Sequence, residues 1–231
     1  MIRKWQFILV QMAVGACVGR AAIIADWTFE SSQPYTTGPF APEQGSGSAL
    51  ASGVSSVSSP VGDGSAHSFS ATHWVSGDYF QFTTSTLGYD DIVITFEARG
   101  SDTGPRNFKL TYSTDGISFT DIGTYALIND SWSSTVYHSA SAYTFNLSSM
   151  DGVNNDGSIY FRLVDTSAAA GGAINGGYVG TGGTSVVDDF TVSGVEAVPE
   201  PGESGAIAGA GLLALCGWRA WRQRNASCPF N

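Results

Sequence analysis

Apolar and polar side chains alternate along the middle of the chain, and this alternation predicts β-strands. Residues 91–98 place Ile92, Ile94 and Phe96 on one face, and residues 107–113 repeat the same period of two. A period of two is that of a strand with one buried face. Further strands are predicted at residues 23–30, 79–84, 117–122, 142–147, 158–165 and 185–193, with a shorter one near residues 54–57.

Turn residues separate these strands. Asp115-Gly116 lies between two of them, and Asp156-Gly157 precedes another. Asp-Gly is a strong short-range signal for a β-hairpin. Roughly eight to ten strands are predicted, and no convincing helix lies between them to connect parallel neighbours. The pattern therefore predicts an all-β fold, an antiparallel β-sandwich within residues 22–195.

Three segments of this region resemble the jelly-roll or galactose-binding-like sandwiches of bacterial surface proteins. They are residues 26–30, with the sequence Asp-Trp-Thr-Phe-Glu, residues 79–122, and the closing residues 187–192. The resemblance implies a jelly-roll-like β-sandwich whose first and last strands lie side by side. It also implies that any function resides on loops or on one sheet face.

The N-terminal residues 1–21 have the pattern of a signal peptide. Two positive charges precede the largely apolar residues 5–18, and a small-x-small cleavage site follows at residues 19–21. A second interpretation is a lipoprotein box at residues 14–17, in which Cys17 would carry the lipid. Both interpretations predict export.

The C-terminal end carries three elements in a fixed order. The motif Val198-Pro199-Glu200-Pro201 is followed by the apolar, glycine-rich residues 205–218, and then by Arg219, Arg222 and Arg224. The prolines end the preceding domain, and an apolar run before positive charge is typical of a transmembrane helix with a cytoplasmic basic end. The run has 14 residues, fewer than the ~20 that span a bilayer, so a buried core helix is the alternative.

These three elements resemble the C-terminal sorting signal of PEP-CTERM proteins, which are substrates of exosortases. The resemblance implies that signal peptidase releases the leader, that the C-terminal helix holds an inner-membrane intermediate, and that an exosortase then cleaves near the Pro-Glu-Pro motif. The product would reach the cell surface or extracellular matrix of a Gram-negative-type bacterium. Association with exopolysaccharide or a biofilm is implied as well.

The predicted organisation is a signal peptide at residues 1–21, a β-sandwich at 22–195, a linker with the sorting motif at 196–204, a transmembrane helix with its arginines at 205–224 and a tail at 225–231. The β-sandwich region contains no cysteine. It must therefore be stabilised by its hydrophobic core instead of by disulfides.

The charge of the sandwich region argues against one class of partner. Residues 22–195 hold seventeen Asp and Glu against four basic side chains, a formal charge of −13. A domain with this charge repels polyanions, so nucleic acid is not expected as a partner.

Motifs for catalysis are missing from the sequence. The histidines, His67, His73 and His138, lack the spacing of a zinc site, and no serine lies in a Gly-x-Ser-x-Gly elbow. A glycosidase needs two facing carboxylates, and residues 22–195 contain only three glutamates, Glu30, Glu43 and Glu97. The sequence favours a non-enzymatic surface or matrix protein, with a carbohydrate-binding module as the alternative and a glycan-active enzyme third.

The only cofactor that the sequence suggests is a structural calcium ion. Its oxygen ligands would come from Asp26 or Glu30 and from Asp188 or Asp189, where the first and last strands meet. In strand phase Asp188 is expected to point toward the core with Phe190, and a buried carboxylate requires a cation or several hydrogen-bond donors. A β-bulge would explain the position of Asp188 equally well.

Aromatic residues outside the clearest core positions suggest a glycan-binding surface. They are Trp74, Trp132, Tyr137 and Tyr178. Sugar rings stack on exposed aromatic faces, so these four side chains are candidates for the contact. The alternative is that they fill the interior of the sandwich.

Overall fold

The computed structural model describes residues 21–197. The predicted signal peptide, sorting motif and transmembrane helix with its arginines lie outside the described residues, apart from Ala21 at the start. The strands are β1 Ala21–Trp27, β2 Gln44–Gly45, β3 Ser48–Ser52, β4 Ser55–Ser58, β5 Phe69–Thr72, β6 Tyr79–Thr84, β7 Tyr89–Gly100, β8 Asn107–Ser113, β9 Thr120–Ala126, β10 Ala142–Asn146, β11 Ile159–Asp165 and β12 Ser185–Glu196. Two single-turn 3-10 helices, Ser139–Ser141 and Asp151–Val153, complete the secondary structure of this part.

The strands form two antiparallel sheets, which confirms the predicted fold class. The first sheet has the order β10-β7-β12-β1-β2, with β5 added to β12 and β4 added to β5. The second sheet has the order β3-β6-β11-β8-β9. The first and last strands, β1 and β12, are antiparallel neighbours, as the resemblance to jelly-roll sandwiches implies.

Aromatic side chains from both sheets meet in the core. The Phe82 ring of β6 stacks on the Phe190 ring of β12 with centroids 3.6 Å apart. Trp27 of β1 meets both rings edge-on, at 5.3 and 6.1 Å. All three side chains are fully buried, because the alternation of each strand turns one row of side chains inward.

The predicted hairpin at Asp115-Gly116 joins β8 to β9. Gly116 adopts φ +71°, a left-handed conformation that glycine tolerates best. The Asp115 carboxylate accepts hydrogen bonds from the backbone N–H groups of Ile117 and Ser118. These bonds hold the pKa of Asp115 well below its usual range.

Three short strands were not predicted, because they have few residues or have only small side chains on the buried face. They are β2, β3 and β5, all within the Gly- and Ser-rich residues 44–72. In β3 the buried side chains are only Ala49 and Ala51, so the alternation is too weak to recognise. Among residues 21–197 no helix is long and apolar enough to cross a bilayer.

Candidate functional site

The outer face of the second sheet brings aromatic and charged side chains together. Phe80 and Phe82 of β6, and Phe161 and Leu163 of β11, are buried in the core. The residues between them therefore point to the opposite face. We call this surface the Arg162 face and define it by Tyr79, Gln81, Lys109, Thr111, Phe119, Asp121, Arg162 and Val164.

The strand register places Arg162 at the centre of this face. Arg162 lies opposite Gln81 of β6 on one side and opposite Thr111 of β8 on the other. Directly opposed residues in an antiparallel pair share a face and lie close enough for their side chains to interact. The three residues thus form one row across β6, β11 and β8.

The guanidinium of Arg162 is held between two aromatic rings. Its central carbon lies 4.0 Å from the ring centroid of Tyr79 and 3.7 Å from that of Phe119. Arg162 Nε donates a hydrogen bond of 2.8 Å to Gln81 Oε1. Cation–π contacts and this bond together fix the plane and the direction of the guanidinium.

A small cavity opens beside the clamped guanidinium. It has a volume of about 210 Å³ and is lined by Thr111, Val164, Arg162 and the two rings that flank Arg162. Thr111 is only 2% exposed, yet its Oγ1 has no hydrogen-bond partner among the described residues. A buried hydroxyl without a partner is costly, so a ligand or water with a polar group would be stabilised here.

Charges on this face are arranged asymmetrically. Lys109 Nζ forms an ion pair of 2.8 Å with the carboxylate of Asp121. Arg162 has no carboxylate within ion-pair distance in the part of the chain that the structure describes. Burial lowers the pKa of the Arg162 guanidinium, and the nearby Tyr79 has the opposite effect. Burial has this effect because removing the charge from water costs free energy.

Together these groups offer a cation with fixed donors, a hydroxyl and two rings within one cavity. The arrangement is suited to binding a polar ligand. The sequence did not predict this site. The alternation of Ile159, Phe161 and Leu163 is the signal that could have placed Arg162 on an outer face.

The structure contradicts two of the predicted glycan-binding residues. Trp74 is 5% exposed and Trp132 is 7% exposed, so neither ring offers a face for a sugar. Trp74 packs edge-on against Phe80 and Phe108 in the core. Trp132 packs against the Arg99 guanidinium at 5.1 Å. Both residues lie outside the strands but fold back over a sheet, which the strand pattern alone does not reveal.

Tyr137 and Tyr178 are exposed, at 57% and 77%. Tyr137 lies beside the backbone of Gly64, and Tyr178 belongs to an isolated bridge with Ala170. Neither is part of the Arg162 face. Their predicted contact with a glycan stays a prediction.

The outer face of the first sheet carries an acidic cluster of two buried residues, Asp63 and Asp188, and two partly buried ones, Glu97 and Asp189. Loop residues 59–67 cover it: Asp63 N–H and Ser65 Oγ–H donate to Asp188 Oδ2, at 3.0 and 2.7 Å. Burial is the largest cause that raises the pKa of Asp188 and of Glu97, each to about 8, and repulsion between the carboxylates adds to it. Burial followed by repulsion from Asp26 and Glu30 raises the pKa of Asp189 to about 6.

The predicted direction of Asp188 is wrong, although its burial is confirmed. Asp188 lies opposite Glu97 in the register of β12 and β7, and a β-bulge follows between Asp188 and Thr191. Because Glu97 lies between the core residues Phe96 and Ala98, it and Asp188 share the outer face. The extra residue of the bulge returns Phe190 to the core side.

The four predicted calcium ligands lie near one another but have other partners. Asp26 accepts a hydrogen bond of 2.8 Å from Thr191 Oγ, and Glu30 accepts one of 2.8 Å from the His67 backbone. Asp189 and Asp188 belong to the acidic cluster. Among residues 21–197 no group of three or more His, Cys, Asp or Glu side chains has the spacing to hold a metal ion. Calcium binding therefore stays a prediction.

A thermal melt tests the calcium prediction. If an ion binds only the folded state, excess calcium stabilises the protein by ~3 kcal/mol at a concentration one hundred times the dissociation constant. We then expect the melting temperature to fall when a chelator is added to the purified protein and to recover with calcium. Identical melts with and without chelator would remove calcium from the description of this sheet face.

Comparison with known proteins gives matches at the level of solved structures alone. No family model matches the chain, and no curated protein sequence matches it. The K3 cleaved adhesin domain of Lys-gingipain from Porphyromonas gingivalis w83 is similar, with 10% identity over 74% of this chain and 99% of that one, and a TM-score of 0.43.

Carbohydrate-binding modules are also among the matches. The CBM22-1–CBM22-2 tandem domain of Paenibacillus barcinonensis Xyn10C has 15% identity over 81% of this chain and 50% of that one, with a TM-score of 0.46. A variant of the family 29 carbohydrate-binding module CBM29-2 has 10% identity over 76% of this chain and 92% of that one, with a TM-score of 0.39. Identities and TM-scores this low transfer no ligand or activity to this chain.

Proposed function

We propose that the protein is a non-catalytic module that binds a polysaccharide on the Arg162 face. The observation that carries this proposal is the clamp on Arg162, a guanidinium held between Tyr79 and Phe119 beside the unpartnered hydroxyl of Thr111. A side chain that is immobilised in this way loses little entropy when it binds a ligand.

Sugars match the chemistry of this cavity. A pyranose ring carries hydroxyl groups that both donate and accept hydrogen bonds around an apolar set of C–H groups. The terminal nitrogens of Arg162 can donate to such hydroxyls, and the Thr111 hydroxyl can donate or accept. The Tyr79 and Phe119 side chains supply apolar surface for the C–H groups.

The extent of the face favours a chain of sugars over a single one. The cavity, about 210 Å³, is smaller than the ~300–1,000 Å³ of a site for a drug-sized ligand. Tyr160 lies two residues before Arg162 on β11 and contacts the hairpin at Gly116. Since residues two apart share a face, a polymer can extend from the cavity toward Tyr160.

Retention on polysaccharides tests the proposal. The purified protein is run through native gels that contain soluble polysaccharides and is mixed with insoluble ones. Phe119→Ala is expected to weaken retention about fivefold to tenfold, since a good aromatic contact is worth ~1 kcal/mol. Its melting temperature should stay close to that of the wild type, because Phe119 is only partly buried.

Tyr178→Ala tests the alternative position, because Tyr178 is an exposed aromatic outside the Arg162 face and a glycan contact predicted from the sequence. It should bind as the wild type does. Loss of retention in Tyr178→Ala with no change in Phe119→Ala would place the site on the loops instead. Failure of the wild-type protein to be retained by any polysaccharide would overturn the proposal.

We also propose that this module is exported and sorted by an exosortase to the cell surface or matrix. The support is the order of the motif at residues 198–201, the apolar run and the three arginines. Protein recovered from outside the cells should lack the signal peptide and the segment from about residue 202 onward. An intact mass that still includes Cys228 would contradict this processing.

A further inference from the structure

Basic side chains are scarce in the sandwich, and half of them lie on the Arg162 face. Residues 22–195 contain four, Arg99, Arg106, Lys109 and Arg162, against seventeen acidic ones. Lys109 and Arg162 lie on the neighbouring strands β8 and β11 and line the same cavity. A domain with so much negative charge thus concentrates positive charge beside a cavity.

Arg162 differs from Lys109 and Arg99 in the use of its terminal nitrogens. Lys109 is neutralised by Asp121 at 2.8 Å. Arg99 covers Trp132 and donates from Nη1 to the carbonyl of Asp130 at 3.3 Å. Arg162, in contrast, uses Nε alone, and its terminal nitrogens donate to no protein acceptor within residues 21–197.

The geometry of the clamp leaves one edge of the guanidinium free. The Tyr79 and Phe119 ring centroids lie within 4.0 Å of the guanidinium carbon, and Gln81 Oε1 accepts the hydrogen bond from Nε. The remaining donors are those of the two terminal nitrogens. Two parallel N–H donors in one plane match the two oxygens of a carboxylate, and this charge-assisted pair is stronger than a bond to a neutral hydroxyl.

We propose that the polymer bound at the Arg162 face carries carboxylate groups, as a polyuronate does, and that the terminal nitrogens of Arg162 bind one carboxylate in a bidentate manner. This inference rests on the proposed polysaccharide-binding function and names its ligand class. Thr111 Oγ, at the buried side of the cavity, donates to the same carboxylate or to a neighbouring hydroxyl.

The formal charge of −13 on residues 22–195 repels a polyanion at long range but does not prevent a direct contact at this face. Charges on the surface are screened beyond ~8 Å at physiological ionic strength, whereas a direct contact in a partly buried cavity is screened much less. The acidic cluster lies on the first sheet, on the other side of the core from Arg162. Among residues 21–197, Asp121 supplies the only carboxylate that lines the cavity, and Lys109 neutralises it.

The test compares each acidic polymer with its own carboxyl-reduced form. Polygalacturonate, alginate and polyglucuronate are presented to the purified protein in native gels at about 0.15 M salt, each beside the polymer whose carboxyl groups have been reduced to primary alcohols. Neutral glucan and xylan are included. We expect at least tenfold tighter retention on one acidic polymer than on its reduced form.

The variants assign this preference to Arg162. Arg162→Gln should reduce the preference for the acidic polymer to about twofold or less. Arg162→Lys should keep only part of that preference, because lysine lacks two parallel N–H donors in one plane. Arg106→Gln removes the same charge elsewhere and should keep the full preference. Melting temperatures show whether each variant is folded, and the comparison of polymers on the wild-type protein needs no variant.

The remaining outcomes show whether the inference about carboxylates fails alone or together with the proposed polysaccharide binding. Equal or tighter retention on reduced or neutral polymers would overturn the inference about carboxylates and leave polysaccharide binding in place. A full preference in a folded Arg162→Gln protein would also overturn the inference. No retention on any polymer would overturn both the inference and the proposed function.

Discussion

Replacement of Trp74 by alanine is expected to lower the free energy of unfolding by ~3–5 kcal/mol, the range for removal of a large aromatic side chain from a core. Trp74 is 5% exposed and packs against Phe80 and Phe108 with ring centroids at 5.0 and 5.5 Å. Its indole N–H donates a hydrogen bond of 2.9 Å to the Ala71 carbonyl oxygen. The variant loses both the packing and the bond and leaves a cavity. Urea unfolding followed by fluorescence and circular dichroism measures the change.

Tyr178→Ala is the control for this measurement, since Tyr178 is 77% exposed. Surface substitutions of this kind change the free energy of unfolding by ~0.5 kcal/mol or less.

At concentrations of denaturant where the Trp74→Ala protein remains folded, the Trp74→Ala protein should bind polysaccharide as the wild type does. A stable Trp74→Ala protein that no longer binds would return Trp74 to the list of binding residues and contradict its place in the core.

The strands were predictable wherever large apolar residues alternate with polar ones. Residues 79–84 and 107–113 have the predicted bounds in the structure, since Phe80 and Phe82 in the first strand, and Phe108 and Leu110 in the second, mark one face clearly. The predicted β-hairpin at Asp115-Gly116 is also confirmed, because the signal for a tight turn lies within the two residues themselves. The strand Ser48–Ser52 was missed because its buried residues are alanines, which resemble a Gly- and Ser-rich loop.

The candidate site was not predictable, because its parts are distant in the chain. Tyr79, Phe119 and Arg162 come from three separate segments, and only the pairing of β6 with β11 brings Gln81 beside Arg162. Alternation gives the face on which a residue lies but not its neighbour on the next strand. The same limit applies to Trp132, whose burial depends on contact with Arg99.

A single β-bulge made the predicted face of Asp188 wrong. Without an extra residue, Asp188 and Phe190 would share a face, as the sequence predicted. The bulge between Asp188 and Thr191 separates them, and Asp189 adopts φ +45°. The result is a carboxylate that is fully buried outside the main core, beneath loop residues 59–67.

The acidic cluster makes stability depend on pH. Asp188 and Glu97 have pKa values raised to about 8 from 3.8 and 4.5, so between pH 4 and 8 the folded protein holds protons that the unfolded chain releases. Stability from these groups is therefore complete below pH ~4 and is lost as pH rises to about 8. At ~1.4 kcal/mol per pKa unit, a rise of about four units corresponds to a loss on the order of 5 kcal/mol for one carboxyl. The two losses do not add in full, because the carboxyls titrate as a pair.

A series of melts between pH 5 and 9 measures this loss, and Glu97→Gln identifies its source. The melting temperature of the wild type should fall from pH 5 to pH 8 and then level off. Glutamine is a neutral replacement of the same shape at a position where Oε2 has no partner within residues 21–197, so the variant should have a shallower pH dependence and a higher melting temperature at pH 8. Asp91→Asn removes a charge at an exposed position of the same strand and should keep the wild-type slope. A wild-type melting temperature that rises or stays level between pH 5 and 8 would mean that both carboxylates are ionised in the folded protein, and a cation or a donor would then have to be sought beneath the loop.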